Sequence, residues 1–269
     1  MGPRQVGKST LAEAIIPKDE RVLEINGDNT DVQTMFVDVD EAKIKILLGN
    51  NNFLFVDEAQ KIQNVGNMLK IVADKFKEVK IIVTGSSSFK LSEAVNESLT
   101  GRKREFKLYP LSFKEMADYT SVLEESRLIE HRLIYGYYPE VVTSVGDEKE
   151  VIKELIDSYL YKDVLEENNI AKPDQLVKLV QALAFQIGST VSATELAGLV
   201  GIDAKTVERY IEILEKSYII FTIPSYAKNQ RNELKFARKI YFWDMGIRNG
   251  VIGNMAPVSL RSPEELGHM

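Results

Sequence analysis

The chain contains no cysteine and only two histidines, His131 and His268, among its 269 residues. Disulfide bonds, thiolate metal sites and cysteine nucleophiles are therefore excluded, and a metal site built from histidines would have too few ligands. The lack of cysteine is compatible with the reducing cytoplasm, which is where we expect this protein to act.

Long apolar runs and an excess of positive charge are also missing. No run approaches the roughly 18 apolar residues that a membrane span needs, so we expect no membrane partner. The formal net charge is −6, and any contact with nucleic acid must therefore come from a local basic patch. The hydrophobic content of 44% is ordinary for a globular protein, and the length is sufficient for two domains.

The first segment with a chemical signature is GPRQVGKST, residues 2–10, which fits the pattern G-x-x-x-x-G-K-[ST] of a P-loop. Gly2 and Gly7 let the backbone curl so that successive N–H groups form an anion-binding nest at the start of a helix. Lys8 is expected to reach the β- and γ-phosphates of a nucleotide, and the Ser9 hydroxyl to bind Mg²⁺. The nucleotide-binding residues predicted in this loop are Gly2, Arg4, Gln5, Val6, Gly7, Lys8, Ser9 and Thr10.

A P-loop normally follows a buried strand, but here only Met1 precedes Gly2. We expect either that this first strand is missing and the chain is a fragment, or that another segment takes its place in the sheet.

The second signature is Phe53 to Val56, a continuous apolar run of strand length that ends in Asp57 and Glu58. A run of this kind is typical of a strand buried on both faces, and open α/β sheets bind ligands at the carboxyl ends of such strands. Asp57 is expected to hold Mg²⁺ through water, and Glu58 to act as the general base for the attacking water.

Thr84 and Ser86 follow a third apolar segment, residues 80–84. Their hydroxyls suit a sensor position, at which a polar group contacts the γ-phosphate or the attacking water. The competing interpretation is that they cap the start of a helix, a position that small polar residues also favour. The two interpretations carry equal weight.

Four apolar segments alternate with helical patterns near the start of the chain: residues 21–26, 53–56, 80–84 and 106–113. This alternation predicts an α/β fold with a parallel sheet, a P-loop ATPase domain over residues 1–111. Arg102 and Arg104 precede the last segment, so one of them could act as an arginine finger, in the same chain or across a homo-oligomer interface. A surface salt bridge is the alternative for each arginine.

Residues 112–172 show mainly helical patterns, with a break at Tyr135 to Pro139, and are predicted to form a helical connector. The acidic run from Asp147 to Glu154 is expected to be a solvated helix face.

Residues 173–269 are predicted to form a winged-helix domain. A helix with its apolar face at Leu176, Val177, Val180 and Leu183 leads to two helices joined by the short turn at 201–203, a helix-turn-helix pattern. The second of these two helices is expected to bury Val207, Tyr210, Ile211 and Leu214. Strands at 218–224 and 239–243 would flank a basic loop, the wing.

The charge of this domain leaves two interpretations open, DNA binding and simple packing. Residues 224–239 carry five basic residues against one acid, whereas 203–216 carry four acids against three bases. Phosphate contacts are therefore expected mainly from the loop. The candidate DNA contacts are Lys205, Thr206 and Arg209 on the helix, and Lys228, Arg231 and Lys235 in the loop.

The chain resembles a group of prokaryotic AAA-superfamily ATPases in which a P-loop domain precedes a winged-helix domain of unknown function. The resemblance is carried by GPRQVGKSTL, FLFVDEAQ, IIVTGSSS, LTGRKREFKLYPLSF, YGYYPEVV, YLYKDV and KIYFWDMGIRNGVIGN. It implies ATP as the nucleotide, Mg²⁺ as its metal, and the roles given above to Lys8, Ser9, Asp57 and Glu58. Such proteins usually continue into a nuclease-like domain beyond the LGHM at which this chain stops, so no nuclease activity is assigned.

The sequence thus predicts an ATPase that binds and hydrolyses Mg-ATP and couples hydrolysis to a conformational change on DNA or a DNA-bound partner. The alternative is a nucleotide-switched adaptor or DNA-binding regulator that does not hydrolyse ATP. The presence of both Asp57 and Glu58 favours the enzyme, because a pure switch does not need a general base.

Overall fold

A computed structural model describes residues 1–86, 99, 101–158, 164–167, 170–224 and 238–268. The chain forms two compact units, residues 1–108 and 109–269. No helix within the described ranges is long and apolar enough to cross a membrane. The finer division into 1–111, 112–172 and 173–269 stays a prediction.

Unit 1 is an α/β unit with a three-stranded parallel sheet. Its elements are α1 (Lys8–Ile15), β1 (Val22–Asn26), α2 (Thr30–Met35), α3 (Glu41–Leu48), β2 (Phe53–Asp57), a 3₁₀ turn (Ala59–Lys61), α4 (Val65–Lys75) and β3 (Lys80–Val83). The strand order is β1-β2-β3, with Ile25 level with Val56 and Val56 level with Val83. Every residue of the central strand β2 is buried, which explains its unbroken apolar sequence.

The parallel sheet of unit 1 was predicted and is confirmed, but the prediction of a strand at residues 106–113 is wrong. In the described part of the chain, the backbone of Phe106 and Leu108 pairs only with Met1, through two hydrogen bonds of 2.8 Å. Ser112 instead begins a helix, because its hydroxyl and the Glu115 carboxylate form a capping box. Local capping therefore replaces the strand at the end of this segment.

Unit 2 begins with a mainly helical region. Its elements up to residue 185 are α5 (Phe113–Tyr119), α6 (Val122–Arg127), α7 (Ile129–Tyr135), α8 (Pro139–Thr143), α9 (Glu148–Leu155), α10 (Val164–Glu167) and α11 (Pro173–Phe185). The break predicted near Tyr135 is present, since α7 ends at Tyr135 and α8 starts at Pro139.

The expectation of a solvated acidic face over 147–154 is wrong at one position. Glu148 is buried, accepts the Gly146 N–H at 3.0 Å and lies 3.2 Å from His131 Nε2. Backbone N–H groups and His131 together lower the pKa of Glu148, although burial itself opposes the shift. The charge pattern could not reveal this contact because His131 belongs to a different helix.

The rest of unit 2 contains a three-stranded antiparallel sheet and its helices. The elements are β4 (Thr190–Val191), α12 (Ala193–Val200), α13 (Ala204–Lys216), β5 (Ile220–Ile223), β6 (Arg238–Phe242), α14 (Met245–Val251), a 3₁₀ turn (Val258–Leu260) and α15 (Pro263–His268). The strand order is β4-β6-β5. The loop between β5 and β6, with the predicted contacts Lys228, Arg231 and Lys235, lies outside the described residues.

Helical periodicity identified the buried faces in this region with one error. The four residues predicted to be buried on α13 are all buried. On α11, Leu179 is fully buried, whereas Val177 is only partly buried. Val177 and Leu179 lie within one turn of each other on the helix. The neighbouring elements that cover the helix determine which of the two is buried.

A buried carboxylate locks the turn between α7 and α8 to the start of α14. Asp244 accepts the N–H of Tyr137 at 2.7 Å and that of Ile247 at 3.0 Å. Burial raises the pKa of Asp244 to about 6, although hydrogen bonds from these backbone groups oppose the shift. Gly136 has φ +79°, and a Cβ there would lie 2.1 Å from an Asp244 oxygen. Glycine is thus required at 136 both by its conformation and by the close approach of the carboxylate.

We expect Gly136→Ala to lower the free energy of unfolding by about 2–5 kcal/mol, the sum of a left-handed alanine and an overpacked contact. Gly201→Ala is the matched control, because Gly201 has φ +77° and, apart from its chain neighbours, no described residue comes within 4 Å of its would-be Cβ. The control should cost only about 1–2 kcal/mol. Urea unfolding of both variants measures the difference. Equal losses of unfolding free energy would contradict the close contact between Gly136 and Asp244.

Candidate functional site

The P-loop backbone has the shape of an anion-binding nest. Gln5 and Gly7 have positive φ values of 60° and 85°, and α1 starts directly afterwards at Lys8. The N–H groups of residues 7–10 donate to no backbone carbonyl in the described part of the chain. They remain available for a phosphate at the positive end of the helix dipole.

Glycine is favoured at Gly2 and Gly7, the two glycine positions of the P-loop pattern, for different reasons. A Cβ at Gly2 would lie 2.1 Å from the Leu108 carbonyl oxygen, so the close approach of two backbones excludes a side chain. At Gly7 no described residue beyond its chain neighbours comes within 4 Å of a would-be Cβ, and the positive φ is what favours glycine.

Lys8 folds back over the loop. Its Nζ donates to the Pro3 carbonyl at 2.7 Å, and the residue is 9% exposed. Burial lowers the pKa of Lys8, whereas the nearby carboxylates of Glu58 and Asp57 raise it. If a phosphate bound in the nest, Lys8 would exchange its contact with the neutral Pro3 carbonyl for a contact with a negatively charged group.

Asp57 joins the P-loop to two neighbouring strand ends. Its Oδ2 accepts the Ser9 hydroxyl at 2.8 Å, and its Oδ1 accepts a hydrogen bond from the Thr84 hydroxyl. The Glu58 N–H also donates to Oδ1, at 3.0 Å. Three residues that the sequence separates by up to 75 positions (Ser9 to Thr84) thus meet at one carboxylate.

These residues fit a Mg²⁺ ion by the chemistry of their donors. Mg²⁺ takes hard oxygen ligands, usually one or two from protein together with water and substrate phosphate. The Ser9 hydroxyl and the Asp57 carboxylate supply such oxygens side by side at the mouth of the P-loop. They would hold the ion, and no larger cluster of acidic or histidine ligands occurs among the described residues.

Glu58 lies in a polar network of its own. Its Oε2 accepts the Gln60 amide at 2.7 Å and the Ser86 hydroxyl at 3.3 Å, and Arg4 Nη2 lies 3.9 Å away. Glu58 itself has φ 47°, a left-handed conformation that is rare for a side chain of this size. Of the two predicted sensor hydroxyls, that of Thr84 therefore donates to Asp57 and that of Ser86 donates to Glu58.

Gln60 was not predicted as a site residue. Its Nε2 donates to both Glu58 and Ser86, at 2.7 and 2.8 Å, while its buried Oε1 has no partner in the described structure. The amide orientation follows from chemistry, since an ionised carboxylate only accepts hydrogen bonds and must face the NH₂ group. The one signal in the sequence was a polar side chain two positions after Glu58.

The structure does not bring the two predicted finger arginines to the P-loop. Arg102 forms an ion pair with Asp74 on α4, and Arg104 is exposed. No hydrogen bond or ion pair in the described part of the chain joins either arginine to the loop. Within this chain the Arg102 contact is the surface salt bridge, and a finger acting across an oligomer interface stays a prediction.

The predicted DNA contacts on α13 lie among acidic residues. Lys205 and Arg209 are exposed, and Thr206 is held by Asp203, which accepts its N–H at 2.9 Å and its hydroxyl at 2.6 Å. The groove beside them combines three basic with three acidic side chains: Lys205, Arg209, Arg238, Glu208, Glu212 and Glu215.

Two regions of the chain match known families. Residues 1–117 match the family described as AAA domain, and residues 126–257 match a domain of unknown function (DUF8612). The first match supports assigning the N-terminal part to the AAA-type P-loop ATPases. ATPase-like nucleotide binding is the activity that it suggests.

Similar proteins occur in archaea and bacteria. An uncharacterized protein of Methanocaldococcus jannaschii is 27% identical over 249 residues, covering 84% of this chain and 56% of that protein. One from Haemophilus influenzae is 26% identical over 211 residues, covering 75% and 52%, respectively. One from Mycobacterium tuberculosis is 23% identical over 269 residues, covering 99% and 58%. The chain thus spans little more than half the length of these relatives.

We expect Gln60→Ala to lower ATP turnover about 10- to 100-fold with little change in Mg-ATP affinity, because it removes the group that orients Glu58. Gln63→Ala is the matched control, since Gln63 is exposed on the same segment. Steady-state turnover and equilibrium nucleotide titration separate the two effects. Equal turnover in the two variants would show that Glu58 does not depend on Gln60.

Proposed function

We propose that unit 1 binds Mg-ATP in its P-loop and hydrolyses it. The observation that carries this proposal is the convergence of Ser9 and Thr84 on the Asp57 carboxylate and of Gln60 and Ser86 on the Glu58 carboxylate. A loop that only started a helix would not need two carboxylates oriented by neighbouring hydroxyl and amide groups.

The protein residues have separate tasks in this mechanism. The P-loop N–H groups and Lys8 neutralise the phosphate charge and hold the γ-phosphate in place. Mg²⁺, when held by Ser9 and Asp57, supplies further stabilisation of charge on the phosphate oxygens. Glu58 Oε2 takes a proton from the attacking water, and Gln60 and Ser86 keep that oxygen in position.

We further propose that unit 2 contains a winged helix through which hydrolysis acts on DNA or a DNA-bound partner. The order helix, strand, helix, helix, strand, strand from α11 to β6, with the strand order β4-β6-β5, supports this assignment. The mixed charge beside α13 does not favour phosphate contacts by this helix alone. The basic loop between β5 and β6 would have to supply them.

A second candidate function is a nucleotide-switched adaptor or DNA-binding regulator that does not hydrolyse ATP. One observation favours it: Arg4 Nη2 lies 3.9 Å from Glu58 Oε2, the oxygen that would have to accept a proton from the attacking water. If this ion pair persists with nucleotide bound, Arg4 competes with the water for that oxygen and the loop acts as a binding switch only.

Two substitutions separate binding from hydrolysis. Lys8→Ala should lower Mg-ATP affinity at least about 100-fold, because the buried cation that meets the β- and γ-phosphates is lost. Glu58→Gln should keep the affinity within a few-fold and lower turnover by about 10²- to 10⁴-fold. Calorimetric titration and phosphate release measure the two quantities.

Lys18→Ala provides the control for the first variant, since Lys18 is an exposed lysine after α1. If Lys8→Ala binds as tightly as this control, the loop is not a nucleotide site. If Glu58→Gln binds normally and wild-type chain shows no turnover, the adaptor function is favoured instead.

Replacing Lys228, Arg231 and Lys235 together by Ala should weaken DNA binding across all sequences and reduce its salt slope by about three units. Changing Thr206 or Arg209 should instead alter sequence preference. The matched control is the double variant Lys149→Ala, Lys153→Ala, which removes exposed lysines from α9.

A melting curve recorded with each DNA titration tests a second explanation, namely that the basic loop contacts protein and not DNA. A loss of melting temperature or a changed oligomeric state in the triple variant, without an effect on DNA, would show that the loop packs against protein.

A further inference from the structure

An aromatic row covers one face of the antiparallel sheet in unit 2. Phe221 on β5 is paired with Tyr241 on β6, and their rings stack with centroids 5.5 Å apart. Trp243 continues the row, 4.5 Å from Phe221, and Tyr109 stacks on Trp243 at 4.1 Å. Side chains alternate along a strand, so the apolar residues between them, such as Ile240 and Phe242, form the buried core on the other face.

The aromatic row is not needed to fill the core. The four rings are only partly buried, while the opposite face of the same strands is closed. A cavity of about 240 Å³ adjoins the row and is lined by Phe221, Tyr241 and Trp243 together with Tyr137. This volume is large enough for one planar ring system.

A buried arginine lies in the wall of this cavity. Arg132 is 7% exposed, its Nε donates to Glu125 at 3.0 Å, and its Cζ lies 5.5 Å from the centre of the Tyr137 ring. No hydrogen bond in the described part of the chain involves its two terminal nitrogens. The cavity therefore presents unused hydrogen-bond donors in a rigid planar group.

The charges around the cavity favour a neutral ligand group over an anion. Glu125 already balances Arg132, and Asp244, which also lines the cavity, adds negative charge near neutral pH. A carboxylate or phosphate placed inside the cavity would meet net negative charge, whereas a carbonyl or ring nitrogen would satisfy the arginine donors without that cost. The phosphate of a nucleotide would therefore have to stay outside the cavity.

We propose that this cavity binds a nucleobase of the guanine type, stacked on the aromatic row with its acceptor edge on Arg132. Aromatic side chains on a sheet surface stack bases irrespective of sequence, and the paired O6 and N7 acceptors of guanine match the arginine fork. The base could come from a free nucleotide or from a single-stranded nucleic acid, and both share this chemistry. The cavity is lined by residues of unit 2, and the proposal does not depend on ATP hydrolysis.

Trp243 is the only tryptophan of the chain, so its fluorescence reports on this cavity directly. The full chain should carry Lys8→Ala, so that the P-loop does not bind the probe. GMP should quench Trp243 saturably and bind more tightly than CMP, which carries the same phosphate.

Three variants assign the contacts. Tyr241→Leu should weaken GMP binding about 5- to 100-fold, the usual range for a lost stacking contact. Arg132→Lys keeps the charge beside Glu125 but loses the fork, and should remove the preference for GMP over CMP. Tyr119→Leu is the matched control, since Tyr119 is 84% exposed on α5, and should change nothing.

A thymidine ten-mer with one central deoxyguanosine distinguishes the two sources of the base. Affinity at least tenfold above that of GMP indicates a single strand, and equal affinity indicates a free nucleotide; either result supports the site. No quenching by either probe at millimolar concentration would overturn the proposal. Two other results would also overturn it. One is quenching by GMP that Tyr241→Leu leaves unchanged, and the other is quenching by a phenylalanine peptide when GMP causes none.

Discussion

The carboxylate of Asp57 is the contact on which the geometry of unit 1 depends. It stands at the carboxyl end of a strand buried along its whole length, so its position is determined by the core and not by solvent. From there it accepts hydrogen bonds from the P-loop through Ser9 and from the next strand through Thr84. The loop that would meet the phosphates is thus tied to the part of the sheet that cannot move without disrupting the core.

The neighbouring carboxylate has a different environment, and this difference separates the two roles. Asp57 is surrounded by hydroxyl and backbone donors, whereas Glu58 is approached by an amide, a hydroxyl and a more distant guanidinium. Two acids that are adjacent in sequence point to different partners because Glu58 adopts a left-handed backbone conformation. The unusual backbone angle is consistent with a functional site that the surrounding fold holds in place.

In unit 2 the Asp244 carboxylate also joins separate segments of the chain, and there its role is structural. This carboxylate accepts backbone N–H groups from two segments that are more than 100 positions apart, Tyr137 and Ile247. It therefore holds α14 against the turn after α7 and places Arg132 and Tyr137 beside the sheet. Phe221, Tyr241 and Trp243 of the aromatic row lie far along the chain from Arg132, and this lock brings them to one cavity.

Much of this protein could be predicted from the order of its residues alone. The P-loop, the buried strand before Asp57 and the apolar face of α13 are local patterns, because backbone conformation and side-chain periodicity act over a few residues. The contact of Gln60 with Glu58, the pairing of Glu148 with His131 and the ion pair of Arg102 with Asp74 were not predictable in this way. Each depends on which surfaces meet when helices and strands pack, and hydrogen-bonding capacity alone does not select one partner among many. The sequence determined which elements form and which groups could react, and the tertiary structure decided which of those groups lie within reach of one another.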